Sequence, residues 1–182
     1  MSETFCLNSG DVRNEPVLYR ACGLNEIYLL NGYELAEHDG DQHLSVTKMK
    51  ELHQAIGRHL VTHRKGLTPK EIRFLRNTLG LTQAQLAAKL GNNARSVLRW
   101  EMGECEVPGA SEKLLRVVFL ASLPDEEEMS ALKEFLNSNL SALDELDETT
   151  TAQGRFQLGD IWHETPAASA RLVTSKPKSA LA

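Results

Sequence analysis

Two arginines, Arg95 and Arg99, provide the residue chemistry in this chain that is best suited to recognition. They lie four residues apart, so a helix would project both side chains from one face. An arginine guanidinium can donate two parallel hydrogen bonds to O6 and N7 of a guanine in the major groove of DNA. Leu98 lies on the same face and can contact a thymine methyl group. The spacing therefore predicts a helix whose outer face contacts base pairs.

The residues around this pair predict two short helices joined by a tight turn. A capping box that begins at Thr82 starts the first helix, and Gly91 follows its end. Asn93 is placed to cap the second helix. The inner face of that helix carries two apolar residues at helical spacing, Val97 and Trp100. The arginines are therefore expected to face solvent while an aromatic side chain anchors the helix from behind.

One helix before this pair and one after it complete a predicted helical domain over residues 67–123. Thr68 is followed by Pro69 at the first helical position and Glu71 at the third, which is the spacing of a second capping box. This helix is predicted to run to Leu79. The fourth helix follows the sequence VPG, and its predicted buried side consists of Leu114, Leu115, Val118 and Leu120.

The segment LTQAQLAAKLGNNARSVLRWEMGE resembles the helix-turn-helix of the Xre/Cro family, which is related to the lambdoid phage repressors. The matching positions are Thr82, Gln83, Leu86, Ala87, Leu90 and Gly91 in its first helix, and Ser96, Val97, Arg99, Trp100, Glu101 and Gly103 in its second. The resemblance covers about residues 69–121. It implies that Gln83 contacts a DNA phosphate and that Arg76 and Glu101 form an internal salt bridge.

The spacing and the resemblance together assign seven residues to a DNA interface and four to its structural support. The interface residues are Gln83, Asn93, Ala94, Arg95, Ser96, Leu98 and Arg99. The supporting residues are Arg76, Val97, Trp100 and Glu101. Ala94 departs from the long polar side chain that many phage repressors carry at this position, so the base pair that it would face is not indicated.

The segment before the helical domain predicts a small α+β unit. Residues 1–18 lack periodicity and are expected to be disordered. Residues 19–66 predict a β-hairpin followed by an amphipathic helix. The residues at helical spacing in that helix are Met49, Leu52, Ile56 and Leu60.

The segment after the domain predicts an acidic amphipathic helix over residues 124–148 and a mostly disordered tail over residues 149–182. Within the tail, Gly159-Asp160 predicts a two-residue hairpin turn between Phe156/Leu158 and Ile161/Trp162. The predicted fold class is therefore mainly α. It is an Xre-type helix-turn-helix bundle of four to five helices, preceded by a hairpin-plus-helix unit and followed by an acidic helix.

The charge of the chain is segregated along the sequence. The overall net charge is −5, but residues 48–116 carry thirteen basic and six acidic side chains, which gives +7. Residues 1–47 carry −6 and residues 117–148 carry −8. A basic middle third is the distribution expected of a nucleic-acid binder. The sequence shows neither an apolar run long enough to span a bilayer nor a signal peptide, so we expect a cytoplasmic protein without a membrane partner.

Metal binding and catalysis are poorly supported by the sequence. Three cysteines, Cys6, Cys22 and Cys105, lie far apart and form no CxxC pair, which argues against a disulfide framework and a cysteine-rich zinc site. His59 and His63 lie four residues apart on one helical face, but the sequence indicates no clear third ligand. We therefore expect a solvated helix surface there, and no metal or cofactor. No P-loop, GxGxxG motif or recognisable Ser/His/Asp arrangement is present, so we expect no enzymatic activity.

Two functions remain open at this point. The first is a sequence-specific regulator of transcription, an autoregulating repressor that binds double-stranded DNA with an inverted repeat as a homodimer. The alternative is an antitoxin-like protein that neutralises a partner toxin, with DNA binding as a secondary role. The order of domains is similar to that of MqsA-type antitoxins, although those hold zinc through four cysteines and only Cys22 lies in the comparable region here. The acidic helix and the sequence FQLGDIWHE are candidate toxin-binding elements, and the apolar stripe from Met129 to Leu146 is equally suited to dimerisation.

Overall fold

Five α-helices and seven short β-strands make up the part of the chain that the computed structural model describes, which is residues 5–6, 16–38, 41–123 and 154–165. The strands are β1 (Phe5–Cys6), β2 (Val17–Leu18), β3 (Ile27–Leu29), β4 (Tyr33–His38), β5 (Asp41–Val46), β6 (Gly154–Leu158) and β7 (Trp162–Glu164). The helices are α1 (Met49–His63), α2 (Pro69–Thr78), α3 (Gln83–Lys89), α4 (Ala94–Met102) and α5 (Gly109–Leu120). This composition is compatible with the predicted mainly α class. The predicted acidic helix at 124–148 lies outside the described residues.

The strands form two small sheets. The first has the order β1-β4-β5 and contains the predicted hairpin, in which Tyr33 pairs with Val46 and His38 with Asp41. The second has the order β2-β3-β6-β7, and its β3 and β6 are parallel, with Leu29 opposite Phe156. The C-terminal hairpin of β6 and β7 is therefore built into a sheet of the N-terminal unit.

The turn of this C-terminal hairpin has three residues rather than the predicted two. Leu158 pairs with Trp162, which leaves residues 159–161 as the loop and Ile161 exposed. A two-residue turn would have paired Leu158 with Ile161 and turned Trp162 to the opposite face, because side chains alternate along a strand. In the observed register Trp162 is buried and its indole Nε1 donates a hydrogen bond to the carbonyl oxygen of Thr47 at 3.0 Å.

A buried asparagine attaches the hairpin to the N-terminal unit. Asn31 is fully buried, and its Nδ2 donates to the carbonyl oxygen of Leu158 at 3.0 Å. Its Oδ1 accepts a hydrogen bond from the backbone N–H of Leu158 at 2.6 Å. One side chain thus satisfies both backbone groups of a residue 127 positions away in sequence.

Helix α1 packs against β6 and β7 of the second sheet and against α2 and α5, and its buried face differs from the prediction at one residue. Leu52, Ile56 and Leu60 are buried as expected, but Met49 is exposed because it is the first residue of the helix and the buried stripe begins one turn later. Gly57 approaches α5 closely, since a Cβ placed there would lie 2.1 Å from the ring of Phe119. Glycine is therefore the residue that allows α1 and α5 to pack at this distance.

The helices α2, α3 and α4 begin at the predicted capping residues, and α5 begins at the glycine of VPG without a side-chain cap. Thr68 and Thr82 each form a complete capping box, and α3 and α4 are joined by residues 90–93. The buried face of α5 is rotated from the prediction, because it is centred on Leu115 and Phe119 while Leu114 is exposed. Within the described residues, no helix combines the length and apolar character needed to cross a bilayer.

A buried arginine on α5 joins the helical domain to α1. Arg116 is 1% exposed and forms an ion pair with Glu112 at 2.6 Å. Its guanidinium also donates to the carbonyl oxygens of Val61 at 2.8 Å and Lys65 at 3.3 Å. Val61 lies in the last turn of α1, where a carbonyl lacks a partner within the helix, so Arg116 satisfies a group that would otherwise be buried without a hydrogen bond.

Candidate nucleic-acid interface

The outer face of α4 exposes four side chains of the kind that can contact DNA bases and phosphates. Leu98 is 39% exposed, Met102 is 59% exposed, and Arg95 and Arg99 extend beside them into solvent. On the opposite face of the helix, Val97 and Trp100 lie in the core. The helix is thus held from behind by apolar contacts.

The two arginines of this face differ in their surroundings. The Nε of Arg99 lies 3.5 Å from Oε2 of Glu104, and both side chains are about half exposed. Arg95 forms no ion pair with any residue that the structure describes. An exposed ion pair contributes little free energy, so a phosphate or a base can displace Glu104 from Arg99 at small cost. Arg95 needs no such exchange.

A glycine at the end of α4 explains how Glu104 comes to lie beside Arg99. Gly103 has a φ of 73°, in the left-handed region that glycine adopts without steric cost. The chain reverses there, and the backbone N–H of Glu104 donates to the carbonyl oxygen of Arg99 at 2.9 Å. This helix end places a carboxylate next to Arg99, and no carboxylate of the described residues is paired with Arg95.

The first turn of α4 is organised by Asn93. Its Oδ1 accepts hydrogen bonds from the backbone N–H of Ser96 at 2.9 Å and from the Ser96 hydroxyl at 3.2 Å. Ala94 is exposed and presents only a methyl group. The predicted contact residues at positions 93–96 therefore lie together at the exposed N-terminal end of the helix, where two of their side chains are already bonded to each other.

A buried carboxylate, Glu101, connects α4 to the two preceding helices. Its side chain has no exposed area, and Arg76 donates to both of its oxygens, from Nε at 2.5 Å and from Nη2 at 3.1 Å. Gln83 donates from Nε2 at 2.9 Å, and Nε of Arg73 lies 3.6 Å away. Burial alone would raise the pKa of Glu101, but the hydrogen bonds from Arg76 and Gln83 and the two nearby guanidinium charges hold it below its ordinary value. The charged form of this residue therefore fixes the orientation of α4.

Gln83 has two groups that matter here, its backbone N–H at the start of α3 and its side-chain amide. It is the first residue of α3, where a backbone N–H has no partner within the helix and can bind a phosphate. One proton of its side-chain amide is committed to Glu101, and the second proton remains for another acceptor. Gln83 is thus predicted to contact DNA, and it also supports α4 through its hydrogen bond to Glu101.

No protein-family model, curated protein or solved structure matches this chain. The resemblance to the Xre/Cro family therefore rests on the motif alone. The assignment of the α4 surface to DNA depends on the geometry described above and on the charge of the surrounding segment.

A second cluster of side chains, of the kinds that can ligate a metal ion, lies away from α4, and the sequence did not indicate it as a whole. His59 and His63 of α1 meet Glu164 of β7, and one possible ligand atom from each residue lies within 4.8 Å of the others. The sequence pointed to the two histidines and to no third ligand, and it predicted a solvated helix surface, which is wrong for His59 because that residue is buried where β6 and β7 pack against α1. Glu164 was missed because no local pattern connects a residue in a C-terminal strand with a helix about a hundred positions earlier.

Proposed function

We propose that this protein is a sequence-specific regulator that binds double-stranded DNA by placing α4 in the major groove, and that it acts as an autoregulating repressor. The observation that carries the proposal is the outer face of α4, on which two arginines one turn apart flank the exposed Leu98. Such a face offers bidentate donors to guanine and an apolar contact to a thymine methyl group. Its rigid support by Trp100 and Glu101 favours recognition of a defined sequence.

The distribution of charge supports the same proposal. Three of the six acidic residues between 48 and 116 are paired with arginines inside the fold. The pairs are Glu71–Arg64, Glu101–Arg76 and Glu112–Arg116. Because these carboxylates are occupied, the excess of cations in this segment is carried by exposed side chains that can neutralise phosphates. Exposed cations on or near the helix pair include Lys70, Arg73, Lys89, Arg95 and Arg99.

The proposed operator is an inverted repeat bound by a homodimer, as the resemblance to the Xre/Cro family implies. A two-fold symmetric dimer places two copies of α4 in successive major grooves, about 10 base pairs apart. The repeat is expected near the promoter of the protein's own gene.

Selection of binding sites from random double-stranded DNA tests this function. We expect an enriched inverted repeat, and we expect Arg95→Ala and Arg99→Ala each to weaken binding to it by roughly 1–3 kcal/mol and to relax the preference at one base pair per half-site. Arg20→Ala is the matched control, since Arg20 is an exposed arginine outside the helical domain. Failure to enrich any sequence, or equal binding by all three variants and the parent, would contradict the proposal.

The antitoxin-like alternative lacks a comparable observation among the described residues. The segment FQLGDIWHE was one of the two candidate toxin-binding elements in the sequence. Phe156, Leu158 and Trp162 are instead buried in the second sheet, so they are not free to bind a partner. The acidic helix predicted at 124–148 lies outside the described residues, and its role in partner binding stays a prediction.

A further inference from the structure

Two histidines and a glutamate come together where α1 packs against β7. Nδ1 of His59 lies 2.9 Å from Oε1 of Glu164, and Nδ1 of His63 lies 3.8 Å from Oε2 of the same carboxylate. The two imidazole rings are stacked, with centroids 5.3 Å apart and planes inclined by 18°. Three groups that commonly bind transition metals therefore share one small volume.

The buried histidine of this cluster has unsatisfied polar atoms. His59 is 2% exposed, and neither of its ring nitrogens makes a hydrogen bond with acceptable geometry. Nδ1 is close to Glu164 but is not aligned with it for a hydrogen bond. A buried imidazole without a partner is destabilising, and most buried polar side chains avoid that state. A bound cation would satisfy both a ring nitrogen and the carboxylate beside it.

The surroundings of His59 hold its ring in place. Phe156 packs against it edge-on, with the ring planes at 90° and the centroids 6.0 Å apart. Gly154 leaves room for it, since a Cβ at that position would lie 3.3 Å from Cδ2 of His59 and 2.7 Å from Phe156. Restrained ligands lose little conformational freedom on binding a metal. Oγ1 of Thr62 lies 2.9 Å from Nδ1 of His63, so this nitrogen must exchange Thr62 for the ion if it is the ligand atom.

We propose that His59, His63 and Glu164 bind a divalent transition metal ion of the zinc class. Tetrahedral zinc has bonds to nitrogen and oxygen of about 2.0–2.2 Å, which places its ligand atoms roughly 3.3–3.6 Å apart. Nδ1 of His59 already lies 2.9 Å from Oε1 of Glu164, and one candidate ligand atom from each of the three residues lies within 4.8 Å of the others. The ligands must therefore move closer together to bind the ion, and the partly exposed side chains of His63 and Glu164 are free to do so. Mg²⁺ and Ca²⁺ prefer oxygen ligands, so a site with two imidazole nitrogens is poorly suited to them.

The site is accessible and has room for a further ligand. His63 is 47% exposed and Glu164 is 31% exposed, so an ion can enter from solvent on that side. Three protein ligands leave the fourth tetrahedral position to water or to a group from another molecule. Because the ligands come from α1 and β7, the ion would clamp the C-terminal hairpin to the N-terminal unit and stabilise the folded chain by binding it preferentially.

Zinc titration of the full chain, freed of any tag and stripped of metal with a chelator, tests the site. We expect one zinc ion per chain, bound with micromolar or tighter affinity, and a rise of several degrees in the melting temperature. Cobalt(II) is expected to give the visible spectrum of an ion with nitrogen and oxygen ligands, without thiolate charge-transfer bands. Those bands would instead assign the ion to the cysteines and overturn the proposal.

Three variants locate the ion. His63→Ala and Glu164→Gln alter partly exposed side chains, so both are expected to fold, with an unchanged circular dichroism spectrum. Each should weaken zinc binding at least about tenfold, since altering even an outer partner of a ligand has an effect of this size. His163→Ala is the matched control, because His163 is exposed and adjacent to Glu164 in β7. Zinc binding that survives in His63→Ala and Glu164→Gln would overturn the proposal. So would the absence of zinc binding by the parent at about 100 μM zinc, since a micromolar site would be saturated there.

Discussion

At the scale of single residues, a carboxylate outside the proposed DNA interface competes with DNA for one of the interface arginines. Glu104 lies beside Arg99 at the end of α4, and Arg95 has no such neighbour among the described residues. A DNA phosphate approaching Arg99 must displace this carboxylate and is repelled by its charge.

We therefore expect Glu104→Gln to strengthen operator binding severalfold. The substitution removes a competing partner of Arg99 without changing the shape of the side chain. Fluorescence anisotropy with labelled operator at fixed salt measures the effect. Glu106→Gln removes the same charge from a nearby exposed position and serves as the control. Equal gains for the two variants would attribute the effect to net charge rather than to the pairing with Arg99.

A second expectation at this scale concerns the buried Glu101. Replacing it by glutamine leaves Arg76 partly buried without a counter-charge, and breaking a buried ion pair in this way costs roughly 3–5 kcal/mol. Because the folded-state pKa of Glu101 is depressed, its contribution is complete above the ordinary value of 4.5 and is lost as the pH falls through the lower folded value. Urea unfolding should show that Glu101→Gln is less stable than the parent at pH 7. The difference in unfolding free energy between the two proteins should narrow below about pH 4. A difference that stays constant with pH would contradict the stabilising role assigned to the charged Glu101.

At the scale of secondary-structure elements, the contact between α1 and α5 depends on the absence of a side chain at Gly57. A methyl group there would overlap the ring of Phe119, which is itself fully buried. The two helices must then separate, or the ring must leave its position. Either response disturbs the junction between the N-terminal unit and the helical domain.

Gly57→Ala is expected to destabilise the fold by about 1–3 kcal/mol, because overpacking outweighs the better helix propensity of alanine. Thermal unfolding followed by circular dichroism measures the change. Gly109→Ala provides the control, since Gly109 begins α5 and nothing lies within 4 Å of a Cβ placed there. That substitution should be neutral or slightly stabilising. A Gly57→Ala variant as stable as the Gly109→Ala variant would show that Phe119 moves at no cost.

At the scale of the whole molecule, the C-terminal hairpin is joined to two N-terminal strands, β2 and β3, in one sheet, and Asn31 is central to that connection. Asn31→Ala removes two buried hydrogen bonds to the backbone of Leu158 and leaves those groups unpaired. We expect a loss of roughly 2–4 kcal/mol, with faster amide hydrogen exchange in β6 and β7 than in α3 and α4. Asn25→Ala, at an exposed position, should change neither. Uniform acceleration across all elements would mean that the hairpin does not open separately from the helical domain.

The segregated charge leads to a further expectation for the whole molecule. If each binding site neutralises about four phosphates, operator affinity should fall on the order of a hundredfold between about 50 and 200 mM salt. The slope of log affinity against log salt measures the number of phosphates contacted. An affinity that hardly changed over this range would contradict a phosphate-binding role for the basic segment.

The sequence by itself determined the elements whose signals are local. The capping boxes at Thr68 and Thr82, the cap at Asn93 and the glycines that follow α2, α3 and α4 lie within one turn of the groups they satisfy, so the helix bounds follow from neighbouring residues. The inner and outer faces of α4 follow from helical periodicity in the same way. Periodicity was less informative at Met49 and Leu114, because the face that is buried depends on the partner helix or sheet.

Only the tertiary structure decided the contacts between residues far apart in the chain. The parallel pairing of β3 with β6, the hydrogen bonds of Arg116 to the end of α1, and the approach of Glu164 to His59 are of this kind. A strand or a carboxylate carries no local mark of its partner, since many pairings satisfy the same hydrogen bonds and charges. The choice among them depends on which arrangement buries the apolar faces of all the elements together, and that is a property of the complete fold.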